Sequence, residues 1–235
     1  MAATLDQLIG RSRGLLNEPT PKFWSNKELL DHAIAACTDL WGAYIDLHEE
    51  HFQTIDATNV SMAASSSTLT GVPSDMFRVV AIEPRDLSSS SASRNMVFVP
   101  RDYHASEFVS ARSLSSQDPG SQTIYYAMTL AGPPTGTVTI EVAPQVSSAV
   151  LLRLVYVATL AALTGSSTNP IPGESDTAVL AWIMAWARAK ERPDTMPDPA
   201  WLAVYQTEKQ SLLVRNTPRQ EDEEEYVIGM FEGRW

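Results

Sequence analysis

Cysteine is nearly absent from this sequence: Cys37 is the single one among 235 residues. One cysteine permits neither an internal disulfide nor a thiolate metal site. The residues around it, Ala35, Ala36 and Leu40, are small or apolar. We therefore expect Cys37 to be a small buried hydrophobic side chain.

Positive charge is also scarce. The chain has 17 Lys and Arg residues against 28 Asp and Glu residues, which gives a formal net charge of -11. A protein that grips nucleic-acid phosphates over a broad surface carries the opposite sign. Tight binding of duplex DNA is therefore largely excluded.

Long hydrophobic runs are missing. The most apolar segment, residues 149–163, contains Arg153 and is shorter than the roughly 20 residues that a membrane span needs. The first residues lack the basic flank and apolar block of a signal peptide. With 44% apolar residues and 19% charged residues the chain has enough material for a core. We expect a folded protein that is made in the cytoplasm and has no contact with a membrane.

Motifs for catalysis are absent as well. The sequence has neither Gly-x-Ser-x-Gly nor Gly-x-Gly-x-x-Gly, and the run at 165–167 lacks the lysine of a phosphate loop. His48 and His51 stand three residues apart, whereas zinc proteases need a spacing of four. We expect no enzyme and no cofactor. The alternative is a soluble hydrolase or metal-dependent enzyme with His48, Glu49 and His51 as its site.

Two helices are predicted near the N-terminus. Thr4 is placed to cap a short helix that ends at the breaker run 17–19. Ser25 and Glu28 have the spacing of a capping box, and apolar residues recur behind them at helical spacing. A helix from there to about Ile55 would be roughly 45 Å long at about 1.5 Å per residue. That is longer than one core of this size needs, so we expect part of it to pack on something else.

The middle of the chain is predicted to be an antiparallel β unit. After a Ser/Thr/Ala-rich stretch at 59–71, the apolar runs become short and β-branched. Residues 133–136 suit a hairpin turn, and the Ser-rich run 87–93 suits an exposed hairpin tip. One or two helical turns are expected within 101–111. The predicted strands are 76–83, 95–99, 122–130, 137–142 and 151–157.

Two more helices are predicted after the β unit. Ser175 and Asp176 are placed to start a helix that ends at Pro193, with cations in its last turn. Asp198 followed by Pro199 suits a cap and first helical position, and this helix runs to about Arg215.

The last 20 residues have an unusual composition, with a net charge of -4. Repulsion between the carboxylates should keep the segment extended. Large apolar groups on such an arm favour docking on a partner or neighbouring subunit, although an ordinary frayed terminus is the alternative. The acid block is Glu221, Asp222, Glu223, Glu224 and Glu225; the candidate docking residues are Tyr226, Val227, Ile228, Met230, Phe231 and Trp235.

These elements together predict an α+β fold. A helical bundle body combines the long N-terminal helix with the C-terminal helix pair, and it carries an inserted antiparallel β unit and an extended C-terminal arm. The expected boundaries are 1–58 for the N-terminal helices, 59–158 for the β unit, 159–215 for the C-terminal helices and 216–235 for the arm.

The order of these segments resembles the phage head-to-tail adaptor (connector) family. The similarity spans roughly residues 4–215, and the order and spacing of the pieces carry it. One departure is the pair of Ser-rich stretches in the β unit. The similar pieces are 5–9 with 15–18, then 23–30, 72–80 and 152–156, and finally the helix pair that begins near 176–180.

The resemblance implies a dodecameric ring below the portal that extends the DNA channel and provides the attachment surface for the tail. It also implies C-terminal segments that reach the portal, a location in the virion neck, and no catalytic residues. The acidic balance suits a channel wall that genomic DNA passes without specific binding. Another head-completion or tail-terminator virion protein is the nearest alternative.

Overall fold

The computed structural model describes residues 2–48, 52–85, 96–114, 123–131, 137–171, 175–192 and 196–215. Within these ranges the fold is mixed α+β, as predicted. The helices are α1 (Leu5–Leu15), α2 (Asn26–His48), α3 (Ser106–Arg112), α4 (Asp176–Ala189) and α5 (Pro199–Arg215). The strands are β1 (Gln53–Asp56), β2 (Ser61–Met62), β3 (Leu69–Thr70), β4 (Met76–Pro84), β5 (Val97–Pro100), β6 (Thr123–Ala131), β7 (Thr137–Ala143) and β8 (Val150–Ala158).

The chain divides into two compact units. The helical unit comprises residues 1–48 and 162–235, and the strand unit comprises residues 49–161. Helices α1, α2 and α5 each contact α4 in the helical unit. The apolar face of α4 is fully covered, with Val179, Ile183 and Met184 at the centre of this packing.

The predicted caps of α1 and α2 are present. Thr4 and Gln7 form a capping box, in which the Thr4 hydroxyl accepts from the Gln7 N–H and the Gln7 side chain accepts from the Thr4 N–H. Ser25 and Glu28 form the second box, with the Ser25 N–H 2.8 Å from Glu28 Oε2 and the Glu28 N–H 3.1 Å from Ser25 Oγ. Local sequence therefore determines where both helices begin.

The prediction that the second helix continues to Ile55 is wrong. Helix α2 ends at His48 after 23 residues, which is about 35 Å at about 1.5 Å per residue. Residues Gln53–Asp56 instead form β1, which pairs antiparallel with β8. Beyond Leu47 the apolar residues are too sparse to cover a helical face, whereas β8 offers an edge for backbone pairing.

Strand β8 is the centre of a five-stranded sheet. Strands β1 and β2 pair with successive parts of one edge of β8, and β4 pairs along the other. Strand β3 pairs with β2. Leu152, Leu154 and Tyr156 point from β8 into the core of the strand unit, as the alternation along a strand requires.

A second sheet has the order β5-β6-β7, and it corrects the predicted all-antiparallel arrangement. Strands β6 and β7 pair antiparallel across 133–136, but β5 pairs parallel with β6. Helix α3 lies between β5 and β6 in the chain and supplies the crossover that a parallel pair needs. The expected turns at 87–93 and 133–136 lie outside the described residues.

The hairpin predicted around 87–93 is also wrong, because β4 pairs with β8 whereas β5 pairs with β6. The stretch joins strands of different sheets. The five predicted strands are confirmed to within two residues at each end, and α3 confirms the helical turns expected within 101–111. Strands β2 and β3, two residues each, lie in the Ser/Thr-rich stretch for which no strand was predicted.

The predicted starts of α4 and α5 differ in their chemistry. Asp198 Oδ1 accepts from the Ala200 N–H at 2.9 Å, so it caps α5 as expected. Ser175 makes no side-chain cap bond, because its hydroxyl donates to the Ile171 carbonyl and accepts from Asn169 Nδ2.

Cys37 is fully buried, as predicted, and its burial raises the pKa of the thiol to about 12. None of the helices in the described ranges combines the length and apolar character that crossing a bilayer demands.

Candidate functional site

The C-terminal arm lies outside the described residues, but the helix from which it extends is well defined. The acid block Glu221–Glu225 and the apolar candidates Tyr226, Val227, Ile228, Met230, Phe231 and Trp235 all belong to this segment. Helix α5 ends at Arg215, where the arm begins. Within the described residues, the part of the chain nearest the arm is therefore α5 together with α2 and α4, which it contacts.

Helix α5 is fixed to both neighbouring helices by one side chain. Tyr205 is fully buried, and its hydroxyl donates to Asp39 of α2. Lys209 Nζ lies 2.6 Å from the same Asp39 carboxylate, and the Trp182 ring of α4 lies 4.7 Å from the Tyr205 ring. Burial raises the pKa of Tyr205, and the hydrogen bond to Asp39 raises it further. The base of the arm is thus a rigid helix.

A second fixed element is the loop between α1 and α2. Arg13, 6% exposed, lies beneath it. Its Nε and Nη2 donate to Asn26 Oδ1 at 3.1 and 2.7 Å, and Nη2 also donates to the Trp24 carbonyl at 2.9 Å. Nη1 lies 3.8 Å from Glu18 Oε1. One guanidinium therefore joins the two ends of the loop.

Glu18 holds the same loop from within. Its Oε1 accepts from three consecutive backbone N–H groups, those of Lys22, Phe23 at 2.7 Å and Trp24 at 3.4 Å. Burial raises the pKa of the Glu18 carboxyl, but the three backbone bonds and Arg13 outweigh it, and the net pKa is lowered. The carboxylate is the form that organises the loop.

The loop is also bonded to the C-terminal end of α4. Trp24 Nε1 donates to the Ala187 carbonyl at 2.8 Å, which satisfies a carbonyl in the last turn of the helix. Lys190 Nζ donates to the Phe23 carbonyl at 2.7 Å and to Glu28 Oε1 at 2.8 Å. The same ammonium lies 4.8 Å from the centre of the Phe23 ring. Phe23 is consequently held in place while 48% of it stays exposed.

These contacts create a shallow apolar groove of about 400 Å³, here called the Phe23 groove. Leu15, on the adjoining end of α1, is 47% exposed. Sequence reasoning did not identify this surface, and the one available signal was Phe23-Trp24 directly before a capping box. The lining residues are Leu16, Asn17, Glu18, Lys22, Phe23, Trp24 and Glu191.

The strand unit has a groove of its own beside α3, with a volume of about 410 Å³. Val109 on this helix and Leu114, two residues beyond its end, are each 53% exposed. Arg112 lies over the Tyr103 ring at 4.9 Å and bonds its hydroxyl, which steadies the helix. The lining residues are Ser106, Glu107, Ser110, Ala111, Leu114 and Tyr125.

The described residues hold no group of three His, Cys, Asp or Glu side chains suited to a metal ion. His48 is the last residue of α2, whereas Glu49 and His51 lie outside the described ranges. His32 packs against Trp186 with ring centres 6.3 Å apart, and burial lowers the pKa of its imidazole. The structure thus places His32 in helix packing.

The loop network predicts acid sensitivity of the helical unit. Hydrogen bonds from Lys190 and Ser25 lower the pKa of Glu28 to about 2, and the pKa of Glu18 is lowered as well. In the unfolded chain both carboxyls titrate near 4.5. The two carboxylates therefore stabilise the folded helical unit fully above pH 4.5. This stabilisation is lost as the pH falls through their lowered pKa values in the folded state. We expect the urea midpoint of unfolding, followed by tryptophan fluorescence, to fall between pH 4.5 and about 2.

Glu28→Gln is the matched variant for this prediction. It removes the titrating group at one of the two sites, so its midpoint should change less with pH than that of the parent chain. A parent midpoint that stays constant over this range, or an identical pH dependence in the variant, would contradict the role given to Glu28.

The sequence matches a known protein family over most of its length. The family model described as SU10 adaptor protein matches residues 3–226, so the match includes both the helical unit and the strand unit. No curated protein matches the chain.

Proposed function

Because this chain belongs to the SU10 adaptor protein family, we propose that it forms a ring that docks on the portal, extends the DNA channel and provides the attachment surface for the tail. Membership of the family makes the chain a structural phage adaptor protein. The observation that carries the proposal is the extent of the match, because residues 3–226 include every helix and strand described.

The helical unit supports side-by-side packing in a ring. Helix α2 is buried on one face, where Leu29, Ala36 and Leu40 contact the core, and it leaves Ala35 and Thr38 exposed on another. In a closed ring each copy presents two different surfaces to its neighbours. We assign these contacts to the helical unit, and a ring of twelve copies is what the family resemblance implies.

The charge of the chain supports passage of DNA without adhesion. A net charge of -11 per copy adds up around a ring, and it repels the phosphate backbone. Specific DNA recognition is no part of the proposal. The ring guides the genome and leaves it unbound.

The arm supports attachment. It follows the rigid α5 and combines an acid block with large apolar side chains, which together suit docking on the portal or an adjacent subunit. Tyr226, Phe231 and Trp235 are the proposed main anchors, because buried aromatic side chains supply much of the energy of protein interfaces. The arm then loses its conformational entropy when the ring assembles on the portal, and the folding of the helical unit is unchanged.

Removal of the arm is the experiment that tests this function. A chain that ends at Arg215 retains the bonds of Tyr205 and Lys209 to Asp39, so its helical unit should unfold at the same urea concentration as the full chain. We expect its co-sedimentation with portal-containing heads to fall by at least about tenfold, since loss of several anchors exceeds the 1.4 kcal/mol that a factor of ten represents.

A second variant separates the two features of the arm. It keeps the acid block and replaces Tyr226, Phe231 and Trp235 with serine, and we expect a similar loss of co-sedimentation. A shortened chain that co-sediments as well as the full chain would refute docking through the arm.

A further inference from the structure

We propose that neighbouring copies of this chain meet helix to helix in the ring, with the outer face of α5 of one copy against the outer face of α1 of the next. This inference rests on the proposed ring and names the two surfaces that form its contacts. It commits the partner of α5 to a second copy of the same chain.

The outer face of α5 is exposed and has no charged side chain. Tyr205 and Leu212 are buried on the inner side, and Glu208 and Lys209 are only partly exposed at its edges. A surface helix ordinarily presents charged side chains outward, whereas Val214 on this one is 70% exposed. Interface cores are likewise depleted of charged residues. At 3.6 residues per turn the side opposite Tyr205 consists of Ala200, Ala203, Thr207, Gln210 and Val214, all exposed.

The charge of the chain decides which of its faces can meet another copy. Each copy has a net charge of -11, so two copies repel each other wherever their acidic surfaces approach. Helix α2 leaves Asp31, Asp39 and Asp46 exposed. Self-association is therefore least opposed through α5, whose described exposed side chains are all uncharged.

Helix α1 offers a complementary outer face. Gly10 and Gly14 are exposed, lie one turn apart and face away from the buried Leu8 and Ile9. Glycine inside a helix destabilises it relative to alanine. A Cβ atom at either position would meet nothing within 4 Å in the same copy. Packing within the copy thus gives no reason for the two glycines, whereas close approach of a helix from a neighbouring copy does.

The two outer faces belong to different sides of the helical unit. Helix α1 packs on the side of α4 that carries Asp176, which accepts from the Ala3 N–H at 3.2 Å and lies 4.0 Å from Arg11. Helix α5 packs on the side that carries Trp182, whose ring lies 4.7 Å from the Tyr205 ring. Six residues separate Asp176 from Trp182, which places these sides about 120° apart around α4.

This arrangement decides between the same copy and a second one. Both outer faces point away from α4, so the α1 face that meets α5 belongs to a different copy. A contact between two different faces of identical chains is also the kind that repeats from copy to copy and closes into a ring. The arm takes no part in this contact and stays available for the portal or a neighbour.

Site-specific photo-crosslinking in assembled necks tests the proposal. A benzophenone amino acid replaces Ala203, near the centre of the outer face of α5, in the full chain. The necks are irradiated, and the products are separated on a denaturing gel. We expect covalent species that increase in steps of 25.8 kDa, with the crosslink within residues 6–15 of a second copy.

Gly14→Leu in the same labelled chain fills the space over α1, so it should lower the crosslink yield by about tenfold, which corresponds to 1.4 kcal/mol. Its helical unit should unfold at an equal or higher urea concentration, because leucine favours a helix and the Cβ position is open. Gly42→Leu on α2 is the matched control. A Cβ atom there also meets nothing within 4 Å, and this change should leave the crosslink yield unchanged.

The other outcomes are equally informative. A crosslink to the portal, to the arm, within one copy or to another surface of the second copy would overturn this inference and leave the adaptor function intact. Necks that contain the protein but give no crosslink would do the same. Absence of the protein from necks would instead overturn the proposed function. A Gly14→Leu effect no larger than that of Gly42→Leu would also reject α1 as the surface that meets α5.

Discussion

Arg13→Leu is expected to lower the free energy of unfolding of the helical unit by about 3–5 kcal/mol, since removal of one partner from a buried charged network leaves the others unpaired. The guanidinium makes three hydrogen bonds at 2.7–3.1 Å, and its loss would leave the Trp24 carbonyl and Asn26 Oδ1 without this donor. Urea unfolding followed by tryptophan fluorescence measures the change. The tryptophans report on this unit, because Trp24, Trp41, Trp182, Trp186 and Trp201 all belong to it.

Arg11→Leu is the matched control on the same helix. Its side chain is 59% exposed and lies 4.0 Å from Asp176, so its loss should change the free energy of unfolding by less than about 1 kcal/mol. If Arg13→Leu cost no more than Arg11→Leu, the loop between α1 and α2 would be held by its apolar contacts, and the network around Arg13 would have no structural role.

Tyr205→Ala should have an effect of similar size, about 3–5 kcal/mol, because it removes a fully buried aromatic ring and leaves a cavity. The ring fills the space between α2, α4 and α5, where it contacts Trp182 and bonds Asp39. Tyr205→Phe keeps the ring and removes only the hydroxyl, so we expect about 1–2 kcal/mol. Urea unfolding of both variants separates the contribution of the ring from that of the hydroxyl. Co-sedimentation of the variants with heads shows whether the arm needs an anchored α5.

Val204→Ala is the control for the position. This neighbour in the chain is 40% exposed, and its truncation should change the free energy of unfolding by less than about 0.5 kcal/mol. A Tyr205→Ala variant as stable as Val204→Ala would show that α5 is not fixed through Tyr205, and the rigid base that we assign to the arm would be lost.

Local signals in the sequence were sufficient for much of the fold. The capping boxes at Thr4 and Ser25 and the cap at Asp198 mark helix starts because each bond is made within a few residues. The short β-branched run of β8 likewise predicted a strand at 151–157, and the structure has one at Val150–Ala158. Such features depend on the nearest neighbours in the chain and on the period of the element.

Pairing between distant segments could not be predicted. Strand β1 forms because β8, about a hundred residues later, offers an edge, and nothing in Gln53–Asp56 by itself distinguishes it from a frayed helix end. The parallel pair of β5 and β6 likewise depends on the crossover through α3. Two-residue strands such as β2 carry no period at all.

The candidate site also has one part that the sequence predicted and one part that it did not. The arm was evident from composition, because an acid block followed by apolar side chains is unusual in any chain. The Phe23 groove was not evident, since it requires Lys190 to reach Phe23 across 167 positions of sequence and Arg13 to reach Trp24 across a loop. A groove made by distant residues becomes visible only when the fold is known.

The most direct test of the account is an image of the assembled neck at a resolution that shows helices. The account predicts that this chain forms a closed ring beneath the portal, with copies in contact through their helical units and residues 216–235 of each copy bound to a neighbour or to the portal. A neck that lacks the chain, or that holds it as scattered single copies with every arm unbound, would contradict the account.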